Sequence, residues 1–379
     1  MRMSAFFLTV MGILALLHAY IGWRLLPALP VGDSGTIAGI ILLALSWALM
    51  PMSVASRAVK KRRLGDGLAW AGSLAMGYFS PLLILTILRD LVLGVAALTA
   101  ADAAYASLAM RSAVAVPALA LIATAAGVAY ARRRAPVRDV EVRLAGLPAA
   151  LDGFTIAQIS DIHVGPTIKR RYLEAIVQAV NRLEADLVAV TGDLVDGSVR
   201  ELARHTEPFS RLAARHGAYV VTGNHEYYSG AVDWIIELRR LGLTVLMNEH
   251  VVLDHDGAAL VVAGVPDHSA HHFEPEHRAD PSGALHGAPA DAPRILLAHQ
   301  PRAAAAAAAA GFHLQLSGHT HGGQFWPWNH FVRLQQPFTA GLHRWQDLWV
   351  YTSRGTGYWG PPVRLGVPSE ITRIRLRPA

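Results

Sequence analysis

Two histidines, His319 and His321, sit two residues apart in the glycine-rich turn Leu-Ser-Gly-His-Thr-His-Gly-Gly-Gln at 316–324. Imidazole is the commonest metal ligand among side chains, so a His-x-His pair on a turn can hold a cation. A polar loop would read the same way, and the pair alone decides nothing. Four other apolar runs end similarly. Residues 154–159 lead to Asp161 and His163, 187–190 to Asp193, 218–221 to Asn224 and His225, and 294–298 to His299. Singly, Asp161 reads as a helix cap, Asp193 as a turn residue and His299 as a core histidine. Together, eight residues of metal-ligand type follow five strand-like runs, and that repetition points to a metal site.

Carboxylate, amide oxygen and imidazole suit divalent ions such as Mn, Fe, Zn or Co. The chain has no cysteine, which excludes thiolate ligands, disulfides and cysteine nucleophiles. There are too many donors for one tetrahedral site. Two cations about 3.5–4 Å apart, sharing a bridging carboxylate, would use them. Such a pair lowers the pKa of a bound water, clamps a phosphoryl group and stabilises both attacking and leaving oxygens.

The elements that must position these residues alternate between strand and helix. Apolar runs at 154–159, 187–190, 218–221, 294–298 and 312–316 read as buried strands. Helical periodicity marks about 169–183, 199–215 and 232–241, and Pro301 and Gly311 bracket an alanine helix at 303–310. Residues 140–144 alternate as an edge strand, Asp256-Gly257 marks a hairpin within 243–263, and 348–352 and 370–376 close the chain as strands. Alternating strands and helices imply a layered α/β domain, in which ligands bind beyond the C-terminal strand ends.

Ahead of this domain, residues 1–138 carry four apolar runs at about 4–26, 36–58, 68–91 and 113–131. Each approaches or exceeds the ~20 residues a helix needs to span a bilayer. The first is too long in its apolar core for a cleaved signal peptide. Hydrophobic residues make up 53% of the chain, and its formal charge of +6 is unevenly placed. Residues 1–138 hold 13 Lys/Arg against 4 Asp/Glu, whereas 139–379 hold 21 against 24. The basic excess therefore belongs to the membrane half, and no nucleic-acid partner is expected of the domain. Arg57, Lys60, Lys61, Arg62 and Arg63 flank the second connection, and Arg132, Arg133, Arg134 and Arg138 follow the fourth span. The positive-inside rule puts both termini in the cytoplasm, with the catalytic domain on the cytoplasmic side of the inner membrane. Arg89 and Asp90, near the end of the third span, read as an interfacial pair.

The order Asp-x-His at 161–163, Gly-Asp-x-x-Asp at 192–196, Gly-Asn-His-Glu at 223–226, His299 and Gly-His-x-His at 318–321 resembles the calcineurin-like metallophosphoesterase superfamily. The likeness covers about 150–379. Gly-His-Thr-His-Gly-Gly-Gln at 318–324 and Tyr-Thr-Ser-Arg-Gly-Thr-Gly at 351–357 are similar to its bacterial membrane-anchored branch. The resemblance implies a sandwich of two sheets flanked by helices, following a four-helix transmembrane unit. It implies that Asp161, His163 and His321 hold one metal, that Asn224, His299 and His319 hold the other, and that Asp193 bridges them. It leaves His225 unligated, as the group that protonates the leaving oxygen, with Asp196 orienting it. The implied function is hydrolysis of a phosphate mono- or diester by attack of a metal-bridging hydroxide.

Within enzymes, the competing expectation is a hydrolase of lipid-linked pyrophosphates, its substrate a membrane lipid. From another class, the chain reads as a catalytically silent metal-dependent scaffold or sensor, which the full donor set and His225 argue against. A transporter would need polar or broken spans, and these spans have few polar residues. The histidines of 266–293 (His268, His271, His272, His277 and His286) read as a solvated loop rather than a third metal site. Phe325, Trp326, Trp328 and Phe331, with Tyr227 and Tyr228, divide evenly between packing and an apolar or membrane-facing surface. Arg354 and Arg364 read as surface charges, with phosphate binding as the alternative. Oligomeric state and substrate identity are not legible.

Overall fold

The computed structural model describes residues 5–59 and 61–379; residue 4 and Lys60, which enter the expectations for the first span and the second connection, lie outside the described residues. Contacts divide the chain into two compact units, one of residues 1–129 with 360–363, the other of 130–359 with 364–379.

The first unit holds helices α1 (Ala5–Leu25), α2 (Gly32–Leu49), a short α3 (Met52–Ala55) and α4 (Arg62–Thr99). Helix α5 (Asp102–Arg132) begins in it. Four of these helices are long and apolar enough to cross a membrane. Their outward residues are large and apolar, such as Phe6, Ile37, Leu91 and Ile122, the reverse of a water-facing bundle. The second span stops at Leu49 rather than running on to residue 58, because Pro51 has no N–H to continue the ladder. Arg89 is also not at a helix end. It is buried within α4, donating to Ser112 Oγ and to the carbonyls of Arg24 and Ala109.

The second unit is a sandwich of two six-stranded sheets. The first sheet contains β1 (Val137–Leu144), β2 (Thr155–Ile159), β3 (Leu187–Thr191), β4 (Ala218–Val221) and β5 (Thr244–Val245). The second contains β6 (Glu249–His255), β7 (Ala258–Gly264), β8 (Arg294–Leu297), β9 (Leu314–Ser317), β10 (Gly341–Trp345) and β11 (Leu348–Thr352). Strand β12 (Ile371–Pro378) returns to the first sheet between β1 and β2. The orders are β1-β12-β2-β3-β4-β5 and β10-β11-β9-β8-β7-β6. Strands β2, β3 and β4 run parallel, as do β7, β8 and β9.

Strand alternation builds the layers. On β3, Leu187 and Ala189 face the space between the sheets, while Val188 and Val190 face α6 (Arg170–Asn181), α7 (Val199–Thr206) and α9 (Ala231–Arg240). On β8, Ile295 and Leu297 enter the same inter-sheet core, and Leu296 packs toward α10 (Ala304–Ala309). Strands covered on both faces must be apolar throughout, which is why these read as continuous runs. The helix expected over 199–215 ends at Thr206. Pro208 cannot donate, and a 3₁₀ turn, Glu207–Arg211, follows. Strand β10 was not legible in the sequence; it pairs antiparallel with β11 across Gln346 and Asp347.

Candidate metal centre

The parallel strands of both sheets end at one place. Asp161 and His163 follow β2, Asp193 follows β3, and Asn224 and His225 open the short α8 (Asn224–Tyr228) after β4. His299 follows β8, and His319 and His321 follow β9. All are buried except His319, which is half-buried. The backbone at five of them lies in the left-handed region, with φ of 54° at Asp161, 55° at His163, 54° at Asp193, 71° at His319 and 50° at His321. A non-glycine residue held there costs about 1–3 kcal/mol, a strain that clusters at functional sites. Close approach is the second device. A Cβ at Gly223 would strike the Asp193 carboxylate, and one at Gly318 would strike Ser160 and Asp161.

Three groups of donors converge, each with ligand atoms within 4.8 Å of one another: Asp161, His163 and His321; Asp193, His299 and His319; and His163, Asp193 and His225. Asp193 belongs to two of them. Its Oδ2 is 3.1 Å from His299 Nε2 and 3.9 Å from His163 Nε2. His163 Nε2 is 3.0 Å from His321 Nε2, which is 3.5 Å from Asp161 Oδ1.

Two buried atoms test whether cations fit. Asn224 Oδ1 and His299 Nε2 have no hydrogen-bond partner, although Asp193 lies beside the latter. His299 Nδ1 donates to the Thr191 carbonyl at 2.7 Å, which fixes the ring and leaves Nε2 for the site. Buried polar atoms without partners are rare and ask for an explanation. A hard or borderline cation beside Asp193 supplies one, and the residues fit it.

The charges press on one another. Burial would raise the Asp193 carboxyl, but His299, His225 and His163 hold it well below the usual carboxylate range. Burial, then His299, pushes His319 down to about 4, so its imidazole is neutral, the form that ligates metal. His225 is opposed by burial, yet Asp193 and Asp196 push it up to about 9. Asp196 accepts from His225 Nδ1 at 2.5 Å and from His163 Nδ1 at 3.3 Å. It therefore steadies two histidines, where the sequence suggested one.

Several residues of the site were missed by sequence reasoning. Glu226 accepts from the backbone N–H of Asp193, Leu194, Val195 and Gly223 at 2.9, 2.7, 3.3 and 2.6 Å. It thus ties the turn after β3 to the turn after β4. Burial, then Asp193, pushes its carboxyl up to about 7. Glu226→Ala should leave four buried donors unmet, at about 1–3 kcal/mol each. Calorimetry of the metal-free protein should show a Tm lower by about 2–4 °C per kcal/mol. An unchanged Tm would mean that water replaces the carboxylate.

Arg364 is not a surface charge: it is 1% exposed. It donates to the His321 carbonyl at 3.0 Å and to the Gly357 carbonyl at 2.6 Å, and its Nη2 lies 3.1 Å from His321 Nδ1. Arg354 pairs with Glu370 at 3.1 Å. Around His225 the rings of Tyr228 and Trp359 lie at 5.2 and 5.8 Å, and both are exposed. Tyr227 is buried, its hydroxyl 2.9 Å from His277 Nδ1. Trp326, Trp328 and Phe331 are exposed, so they do not serve as core. None of the three donor groups among the described residues includes a histidine of 266–293.

Residues 154–323 match the Calcineurin-like phosphoesterase family. A zebrafish protein named "Transmembrane protein with metallophosphoesterase domain" is 40% identical over 273 residues, 69% of this chain and 62% of that one. An "Uncharacterized metallophosphoesterase" of Helicobacter pylori is 38% identical over 59% of this chain and 60% of its own length. Another, of Aquifex aeolicus, is 31% identical over 59% of this chain and 84% of its own length. The alignments span 52–63% of the length of the zebrafish protein and of its cattle and nematode counterparts.

Proposed function

This chain belongs to the calcineurin-like metallophosphoesterase family, and on that premise we propose that it hydrolyses a phosphate ester at a two-cation site tethered to a membrane. The observation that carries the reading is that the Asp193 carboxylate lies against one histidine of each proposed ligand set, His299 Nε2 at 3.1 Å and His163 Nε2 at 3.9 Å. In this reading Asp161, His163 and His321 hold one cation, Asn224, His299 and His319 the other, and Asp193 both. Oxygen and imidazole donors suit Mn, Fe, Zn or Co. When bound, such a pair neutralises phosphoryl charge and lowers the pKa of water.

The chain's own residues do the rest. Asp196 holds the His225 ring through Nδ1, so Nε2 is the nitrogen that passes a proton to the leaving oxygen. Asp193 Oδ1 accepts the His225 backbone N–H at 2.8 Å, fixing that acid to the bridging carboxylate. Arg364 and the turn at 355–357 hold His321 from behind. Hydrolysis of bis(p-nitrophenyl) phosphate by metal-stripped and manganese-reloaded protein tests the reading. Turnover should appear only on reloading. Reloaded protein that binds manganese without turnover would favour the silent scaffold instead.

We further propose that the domain lies on the cytoplasmic face and acts on a phosphate ester held at the bilayer. Helix α5 ends at Arg132 and β1 begins at Val137, so the arginines at 132–134 join the last span to the domain. Each favours anionic headgroups by about 1 kcal/mol. Exposed Trp326, Trp328 and Phe331 follow the His319–His321 turn and offer apolar cover to an acyl chain. A reporter fused after Ala379 should read cytoplasmic. Trp326→Ala with Trp328→Ala should slow hydrolysis of a lipid phosphate more than of a small soluble ester. A periplasmic signal, or equal slowing of both substrates, contradicts this placement.

A further inference from the structure

The hydrolytic reading leaves a groove in the helical unit without a role. It runs along α1 from Ala15 to Leu26, takes in Pro27, continues along α2 from Thr36 to Trp47, and encloses about 500 Å³. That volume lies in the range of small-molecule sites. The polar groups on its walls are already satisfied. His18 Nδ1 is 2.7 Å from the Leu14 carbonyl and Nε2 is 3.2 Å from Ser46 Oγ. Trp47 Nε1 donates to the Met11 carbonyl at 3.0 Å, and Thr36 Oγ1 donates to the Gly32 carbonyl at 3.0 Å. The groove therefore offers hydrocarbon only, between two helices long and apolar enough to cross a bilayer. In that medium the filler is an acyl chain, since water would find no partner on these walls.

One end of the groove is charged. The Arg24 guanidinium lies 5.1 Å over the ring of Trp23, a groove residue. Asp90 faces two guanidinium groups, with Oδ2 2.7 Å from Arg24 Nε and Oδ1 3.6 Å from Arg89 Nη1. Tyr20 also donates to Asp90, at 2.6 Å. One carboxylate against two guanidinium groups leaves a local charge of +1. Arg89 is buried, with Nε, Nη1 and Nη2 all committed to protein oxygens. Arg24, with its side chain 30% exposed against 3% for Arg89, is the guanidinium through which an incoming headgroup meets that excess.

We propose that this groove binds an anionic glycerophospholipid of the bilayer, one acyl chain lying between α1 and α2 and the phosphate resting on Arg24. Guanidinium matches a phosphate's paired oxygens, and a net positive charge beside the groove favours an anionic headgroup over a zwitterionic one. The site rests on the first unit alone and is independent of the hydrolytic reading.

Native mass spectrometry of the full chain tests it, in micelles doped with equal palmitoyl-oleoyl phosphatidylglycerol and phosphatidylcholine. Phosphatidylglycerol adducts should exceed phosphatidylcholine adducts about fivefold, the effect of one charge near the surface. Arg24→Gln should bring the ratio to about one, and Arg24→Lys should retain most of the preference. Ala19 and Ala44 line the groove and are exposed, so Ala19→Leu with Ala44→Leu fills it without a clash. That variant should lose both adducts, and it keeps the test decisive if Arg24→Gln does not fold. No preference in the wild type, an unchanged ratio in Arg24→Gln, or undiminished adducts in the filled variant would each overturn the proposal.

Discussion

Asp193→Asn is expected to strip the protein of both cations and to abolish turnover. The substitution keeps the shape of the side chain and one oxygen to accept the His225 N–H, so the fold around it should hold. What it removes is the negative charge that His299 Nε2 approaches to 3.1 Å and His163 Nε2 to 3.9 Å, one from each ligand triad. The side chain is 3% exposed, so bulk water cannot substitute for it. Removing one partner of a buried charge pair costs about 3–5 kcal/mol. That corresponds to a loss of about 10²–10⁴-fold in affinity for each cation. Elemental analysis of the purified variant reads the effect directly. Undiminished metal content together with full turnover would remove Asp193 from the site.

His225→Ala should do the opposite, keeping its cations and losing rate. His225 is bound to Asp196 through Nδ1 and to the bridging Asp193 only through its backbone N–H, and its own ring is no ligand in the proposed assignment. A general acid contributes about 10²–10⁴-fold. The loss should be near that range for alkyl leaving groups and much smaller for nitrophenolate, which departs without a proton. The pH profile gives a second reading. His225 must carry a proton to act, so its contribution is present below its pKa and vanishes as pH rises through it. Asp193 and Asp196 push that pKa up to about 9 against the effect of burial. Cations on Asp193 would offset the first of these, leaving Asp196 to keep the ring protonated at neutral pH. Wild type should therefore show an alkaline limb that His225→Ala lacks. An equal loss for good and poor leaving groups, with the limb retained, would argue against the acid role.

The strands that deliver the site were legible because they are buried on both faces. Val188, Val190, Leu296 and Leu297 leave no polar position to blur the run, and each run stops at a donor. The boundaries that failed, at residues 58 and 215, overran prolines whose missing N–H outweighs the local apolar pattern. Strand β10 escaped because Gly341, Leu342 and His343 are half-buried and Arg344 and Trp345 are exposed, so nothing in their composition demands a sheet.

Within the site, the donors were legible but their supports were not. Glu226 lay in a quoted motif, yet its four backbone partners come from turns 30 residues apart in sequence, a relation no local pattern encodes. Arg364 lies 43 residues beyond His321, and its burial depends on how the chain returns from β11 to β12. The left-handed backbone at Asp161, His163, Asp193, His319 and His321 likewise has no signature in residue type. Asp and His are both among the residue types enriched there, so composition permits it without marking which residues adopt it.

The most direct test of the account is a calorimetric titration of Mn²⁺ into the metal-stripped full chain, with ester hydrolysis followed on the same samples. Two ligand sets on either side of Asp193 predict two equivalents per chain, with turnover rising as the second binds. Saturation at one equivalent, or full turnover before any cation is added, would contradict it.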